Sequence, residues 1–355
     1  PVDEKLEYVD ALWDRIAATP EEVSVPDWHR QLVRERVAEY RGYWEEGARL
    51  LGADFVVLRE DIWEVRLGGR RARLANFQTP FDDPATRRLA GDKAYCYGLA
   101  QQVGAPVPEH LVVTVNQLEA ARTFLRDHRP PFVVKPARDS ASALGVTTHV
   151  ETWSEFIRAA AIASLHDSDI LIERMIAGES CRLLFLGGRM IHAVRRRGLR
   201  VVGDGRSTIA ELVKAGGHGD SVLNGDQNSA FTLASYGVNF GSVPKEGESI
   251  LVRSIPPADR ETRELRTVYD EAVTALCGPE LVESMRKVVE ILGSEFVGID
   301  LITNDLGLSL QESGGTFLEV NTTPGIHHHY VSPGDRKAEP VAKLVLAHLL
   351  HPAAL

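Results

Sequence analysis

Short runs of apolar and β-branched residues recur from Val112 to Asn321, each parted from the next by a helix-period stretch or a glycine turn. A chain of this kind can bury its apolar faces only by layering sheets against helices. The runs are Val112–Val115, Phe132–Pro136, Ile170–Glu173, Leu183–Leu186, Met190–Val194, Val297–Ile302 and Thr316–Asn321. Leu89–Val103, Gln117–Leu125, Trp153–Ser164, Glu261–Ala275 and Pro279–Leu292 read as helices, and Thr208 with Glu211 makes a capping box for one more. Residues 215–250, rich in Gly, Ser and Asn, read as loops with short strands. Upstream, a helix between Arg30 and Leu51 is stopped by Gly52, and a strand follows at Phe55–Leu58. Gly68-Gly69 and Gly187-Gly188 each sit between two strand patterns, a hairpin signal. The fold class expected is α/β, with α+β subdomains, and 355 residues allow two or three packed units.

Charge narrows the function. Forty basic against fifty acidic residues leave a net charge of −10, which disfavours a broad nucleic-acid footprint or an anionic membrane surface as partner. No window approaches the ~20 apolar residues of a membrane span. Three cysteines, far apart, fit neither a zinc spacing nor a disulfide framework. With the polar start Pro-Val-Asp-Glu-Lys, the expected location is cytoplasmic.

The strongest chemical signal is acidic. Asp300 interrupts the apolar strand Val-Gly-Ile-Asp-Leu-Ile, and a period of two puts Glu319 and Asn321 on one face of Thr-Phe-Leu-Glu-Val-Asn. Two carboxylates and an amide oxygen make a hard-oxygen set suited to Mg²⁺ (or Mn²⁺). Lys135 ends an apolar strand beside the small-residue loop Asp139–Gly145, where an ammonium and backbone N–H groups can meet phosphate. Lys93, after Gly91-Asp92, reads alone as a surface lysine or a second phosphate contact. Arg195-Arg196-Arg197 reads as an anion-binding strip or a solvated hairpin end, the second being favoured. Three adjacent side chains, His327 to His329, cannot all face one ion, and Cys181 reads as a small packed residue.

Six segments, in order, are similar to those of ATP-grasp ligases. They are Asp92-Lys93, Val-Val-Lys135-Pro, Ile-Glu173-Arg-Met-Ile-Ala-Gly178, Val-Gly-Asp-Gly-Arg-Ser-Thr-Ile, Gly-Ile-Asp300-Leu and Leu-Glu319-Val-Asn321-Thr-Thr-Pro-Gly. The pattern resembles most the ATP-grasp module of cyanophycin synthetases and of bifunctional glutathione-synthesising enzymes, over residues 89 to about 345. The resemblance implies an ATP-grasp fold with an N-terminal domain over 1–88, a lid subdomain over 89–175 and a C-terminal catalytic subdomain over 176–350. It implies ATP and Mg²⁺ (or Mn²⁺) as cofactors, with Lys93 and Lys135 on the ATP phosphates, Glu173, Arg174, Met175 and Ile176 as the adenine hinge, and Asp300, Glu319 and Asn321 as metal ligands. Arg182 and Arg253 match arginines near the transferred phosphoryl group, and His329 matches a histidine of the acceptor wall.

There are departures too. The acidic ribose contact falls near Ser180, leaving Glu179 as its substitute or the contact missing, and the lid loop is poor in glycine. After Arg253 a Ser-Ile-Pro-Pro-Ala-Asp run replaces the family's Asn-Leu-Ser-Thr-Gly-Gly, which speaks against cyanophycin polymerisation. The activity implied is an ADP-forming ligation, through an acyl phosphate, of an amino-acid-like small-molecule carboxylate to an amine, with a homodimer allowed. The rival readings are a small-molecule kinase on the same fold and a nucleotide-binding protein without turnover.

Overall fold

A computed structural model describes residues 27–81, 83–138, 144–217, 227–254, 270–330 and 340–350. Helix α1 (Asp27–Leu51) leads into β1 (Asp54–Arg59), β2 (Ile62–Leu67) and β3 (Arg70–Ala75), a three-stranded meander in the order β1-β2-β3. Gly68 and Gly69 turn the second hairpin with φ of 55° and 81°, which suits the right-handed twist of the strands on either side. Two helices follow, α2 (Pro84–Gly91) and α3 (Lys93–Gln102).

The sequence expectation of one helix from Leu89 to Val103 is corrected here. Asp92 leaves the helical region (φ −90°, ψ 106°), and its carboxylate accepts from the Tyr95 N–H as the cap of α3. A competing side-chain acceptor breaks the run. The break sets Lys93 at the first position of α3, with its backbone N–H donating to Ala137 O at 3.1 Å.

Strands β4 (His110–Thr114), β5 (Phe132–Pro136), β6 (Thr147–Val150) and β7 (Asp169–Arg174) form a four-stranded sheet in the order β4-β7-β5-β6. Helices α4 (Leu118–Asp127) and α5 (Trp153–Ser164) cover it. β8 (Glu179–Leu186) and β9 (Arg189–Arg196) form the glycine hairpin expected at 187–188. A small unit comes next: β10 (Leu199–Val202), α6 (Ile209–Ala215), α7 (Gln227–Ser235) and β11 (Ser249–Arg253), with β10 paired to β11. Then follow β12 (Asp270–Ala272), α8 (Pro279–Leu292), β13 (Phe296–Thr303), α9 (Leu310–Ser313), β14 (Thr316–Asn321), a 3₁₀ turn at Ile326–His329 and α10 (Val341–Leu350). The second large sheet runs β12-β9-β8-β13-β14, and every ladder among the described residues is antiparallel.

The expected helix Glu261–Ala275 is also corrected in its described part. Residues 270–272 pair with Arg196, Arg195 and Val194 as an edge strand, and only Thr274–Leu276 turns, as a 3₁₀ helix. The edge of β9 offers ladder partners that outweigh local periodicity; residues 261–269 lie outside the described ones. In the stretch expected as loops, 227–235 is helical. Most of the loop Asp139–Gly145 also lies outside the described residues.

Alternation along β8 shows why the five-stranded sheet sits at the centre. Leu183 and Phe185 face one core with Cys96 and Leu99 of α3 and Met285 of α8. Leu184 and Leu186 face another, made with Trp44, Trp63, Phe296 and Val345. The helix α1 and the N-terminal meander therefore share their core with α10 and the far side of this sheet. No helix among the described residues is long and apolar enough to cross a membrane.

Candidate active site

The polar cluster lies where β8, β13 and β14 run side by side. Register pairs Asp300 with Arg182 on β8 and with Glu319 on β14. A bulge makes the second pairing possible. Phe317 opposes Leu301 and Glu319 opposes Asp300, so Leu318 is the extra residue. Without it the period of two would leave Glu319 on the apolar face with Phe317. Asn321, two residues on, directs Nδ2 toward Asp300 Oδ2 at 3.5 Å and Glu319 Oε1 at 3.4 Å.

Arg182 holds Asp300 as a fork, Nε to Oδ1 at 2.5 Å and Nη2 to Oδ2 at 2.6 Å. Arg196 adds Nη1 at 3.5 Å from Oδ2. Burial alone would raise the Asp300 carboxyl, but the two guanidinium charges and the Arg182 hydrogen bonds outweigh it and hold the group far below the usual carboxylate range. Glu319 moves the opposite way. Burial, then the Asp300 charge, push it up against the pull of Lys93, Lys135 and Arg182. A buried carboxylate, a half-buried one disfavoured by its like-charged neighbour, and an amide fit a divalent cation, which relieves that repulsion. A half-turn of the Asn321 amide would bring its oxygen to the same place.

The four-stranded sheet supplies the opposite wall. Lys135 and Glu173 lie diagonally across β5 and β7, with Nζ donating to Glu173 Oε1 at 2.8 Å and to Tyr97 Oη at 3.2 Å. The Tyr97 hydroxyl in turn donates to Glu173 Oε2 at 2.5 Å, and all three side chains are buried. Lys93, also buried, acts on Glu319 through its charge. Strand β7 ends at Arg174 and β8 begins at Glu179, so residues 175–178 carry the chain from one sheet to the other. The Met175 N–H donates to Pro131 O, and Arg174 reaches Glu109 at 2.9 Å.

The sequence-derived candidates are thus partly gathered. Lys93, Lys135, Glu173, Arg182, Asp300, Glu319 and Asn321 face a common space. Glu179 instead pairs with Arg195 at 3.1 Å. Arg253 ends β11 beside Ser254, whose hydroxyl meets Thr148 of β6, and Arg196 is the second guanidinium on Asp300. The reading of Arg195–Arg197 as a solvated strip holds for its outer members, which meet Glu179 and Glu271, and fails for Arg196. Alternation along β9 was the available signal, because it turns Arg196 to the opposite face from Arg195 and Arg197. Tyr97 was missed as well; its signal was the i, i+4 spacing from Lys93 on α3.

The histidine triplet divides. His327 stacks on Phe77 (5.3 Å between centroids, 18°) and His328 tilts over it, while His329 Nδ1 meets His192 Nδ1 at 2.8 Å. Among the described residues there is no group of three or more His, Cys, Asp or Glu side chains arranged to hold an ion. Burial pushes the Cys181 thiol up to about 12, which agrees with a packed residue and not a nucleophile.

Burial, the neighbouring His192 and His328, and the charges of Arg182 and Arg196 hold His329 well below the ordinary imidazole value. The unfolded chain therefore binds one more proton than the folded one below about pH 6.5. Stability from this group is present above that pH and is lost as pH falls, by up to about 1.4 kcal/mol per pH unit. His149, lowered by burial, adds in the same direction. Urea unfolding at pH 7.5 and 5.5 should show a shallower loss in His329→Asn than in the parent. An unchanged loss contradicts the assignment.

Much of the chain is similar to known proteins. The family described as D-ala D-ala ligase C-terminus matches residues 99–200, and one described as putative addiction module component matches residues 1–42. Cyanophycin synthetase of Trichormus variabilis is 31% identical over 270 residues, covering 73% of this chain and 29% of the relative. The glutathione biosynthesis bifunctional protein GshAB of Clostridium perfringens is 28% identical over 225 residues, covering 59% of this chain and 28% of the relative. Among solved structures, a bifunctional glutathione synthetase from Pasteurella multocida aligns at a TM-score of 0.49 and 20% identity, over 84% of this chain and 41% of that one. These matches support placing the chain with the ATP-grasp ligase superfamily. Within it the sequence relatives include cyanophycin synthetases and GshAB proteins, and the chain spans under a third of the length of either relative above.

Proposed function

We propose that the chain is an ADP-forming carboxylate–amine ligase that makes an amide bond through an acyl phosphate. The observation that carries this reading is the meeting of Asp300, Glu319 and Asn321 with Lys93, Lys135 and Arg182 between two sheets joined by residues 175–178. In this reading ATP lies between the walls, with 89–175 as lid, 176–350 as catalytic subdomain and 1–88 as scaffold. Glu173 to Ile176 line the adenine, and Glu179 or its neighbour meets the ribose.

A divalent cation, magnesium in the first instance, supplies charge neutralisation at the transferred phosphoryl group when held by Asp300, Glu319 and Asn321. Lys93 and Lys135 hold the phosphate oxygens, and their burial strengthens that hold. Arg182 lies beside the same oxygens, and its planar fork suits a phosphate or a mixed anhydride. The substrate carboxylate attacks the γ-phosphorus, ADP leaves, and the amine then displaces phosphate from the acyl carbon. Little covalent work falls on the protein, whose task is to position and to neutralise. The test is nucleotide-product analysis with ATP over a panel of amino acids and amines, singly and in pairs. ADP and phosphate released only with a matched pair supports the reading. ADP formed with one substrate and no amide speaks for a kinase instead.

A further inference from the structure

Asp300 is held before it is used. Both of its oxygens accept from one buried guanidinium, at 2.5 and 2.6 Å, and a second guanidinium stands 3.5 Å from Oδ2. The lane in which Arg182 lies is kept open by Gly298. A Cβ there would come within 3.1 Å of Arg182 Cδ and 3.2 Å of Pro324 Cβ. The balance of charge is also unusual for a cation site. Lys93, Lys135, Arg182 and Arg196 surround Glu173, Asp300 and Glu319. A lone divalent ion therefore enters a space that already leans positive, and enters it against an arginine fork.

Resting on the ligase reading above, we propose that Arg182 is a latch on the metal site: it blocks Asp300 until the phosphates of a bound nucleotide draw the fork away, so the divalent ion binds only with or after the nucleotide. A guanidinium matches phosphate oxygens as well as carboxylate oxygens, so the exchange conserves its hydrogen bonds. The incoming phosphates also reverse the sign of the space, which favours the ion.

The test reads metal binding directly. Mn²⁺ is titrated by electron paramagnetic resonance into nucleotide-free protein, wild type and Arg182→Gln. The latch predicts dissociation at least about tenfold tighter in Arg182→Gln, because a nearby charge is removed and Asp300 is released. That gain disappears when Glu319→Gln is added. Arg182→Lys, which keeps the charge and loses the fork, falls between the two and serves if the glutamine variant does not fold. Binding in both variants no tighter than in wild type overturns the latch. A separate arm adds a non-hydrolysable ATP analogue to the wild type. If no protein-bound Mn²⁺ sensitive to Glu319→Gln appears there, the metal-site reading itself fails and the latch falls with it.

Discussion

Glu319→Gln and Asp300→Asn are each expected to reduce turnover at ordinary magnesium by at least about a hundredfold, while moving stability in opposite directions. In the proposed reading both remove an anionic ligand from a set of three, so both are expected to lose activity. Their effects on the fold differ because their neighbours differ. Asp300 is the counter-ion of two arginines, and burial leaves it 5% exposed against 7% for Arg182. Neutralising it strands a buried guanidinium, at a cost of about 3–5 kcal/mol. Glu319 carries the opposite burden. Burial and Asp300 both disfavour its charge, and its neutral isostere relieves that strain. Chemical unfolding without metal should place Asp300→Asn well below the parent and Glu319→Gln level with it or above. Full turnover by either variant would sink the site assignment.

Lys135→Ala is expected to weaken ATP binding about ten- to a hundredfold, the range of a lost charge-assisted hydrogen bond. The apparent constant for the carboxylate substrate should change far less. A structural effect must be separated from this one, because Lys135 also balances the buried Glu173. Tyr97→Phe makes the separation. It removes the hydroxyl that bridges Lys135 and Glu173 but leaves the cation in place. Calorimetry should therefore find near-normal nucleotide affinity in Tyr97→Phe and a large loss in Lys135→Ala. Equal losses in both would assign the effect to packing and remove Lys135 from the phosphate site.

Much of the fold was legible because its signals are local. The glycine pairs at 68–69 and 187–188, the capping box at Thr208 and Glu211, and the apolar runs of β5, β7, β8 and β13 all appear where read. The failures are tertiary. Asp92 broke a helix through a cap that also serves Arg138 at 3.2 Å, and the edge of β9 drew 270–272 into a strand. The site was legible to the same depth. Parity along β14 placed Glu319 and Asn321 together, but not the bulge that brings Glu319 level with Asp300. Arg196 was hidden among three arginines because only the sheet shows which one points inward. Pairings across register, such as His192 with His329, leave no trace in spacing at all.

Product analysis with hydroxylamine tests the central claim most directly. An acyl phosphate made at this site is open to any amine nucleophile, so the carboxylate substrate, ATP and hydroxylamine should yield a hydroxamate. ADP and phosphate should form in equal amounts, and Glu319→Gln should abolish all three. In the proposed reading, attack at the γ-phosphorus follows because Lys93, Lys135 and the Asp300–Glu319–Asn321 set would neutralise charge around one phosphoryl group. A hydroxamate accompanied by ADP is the result this account predicts. AMP and pyrophosphate as the nucleotide products would contradict it.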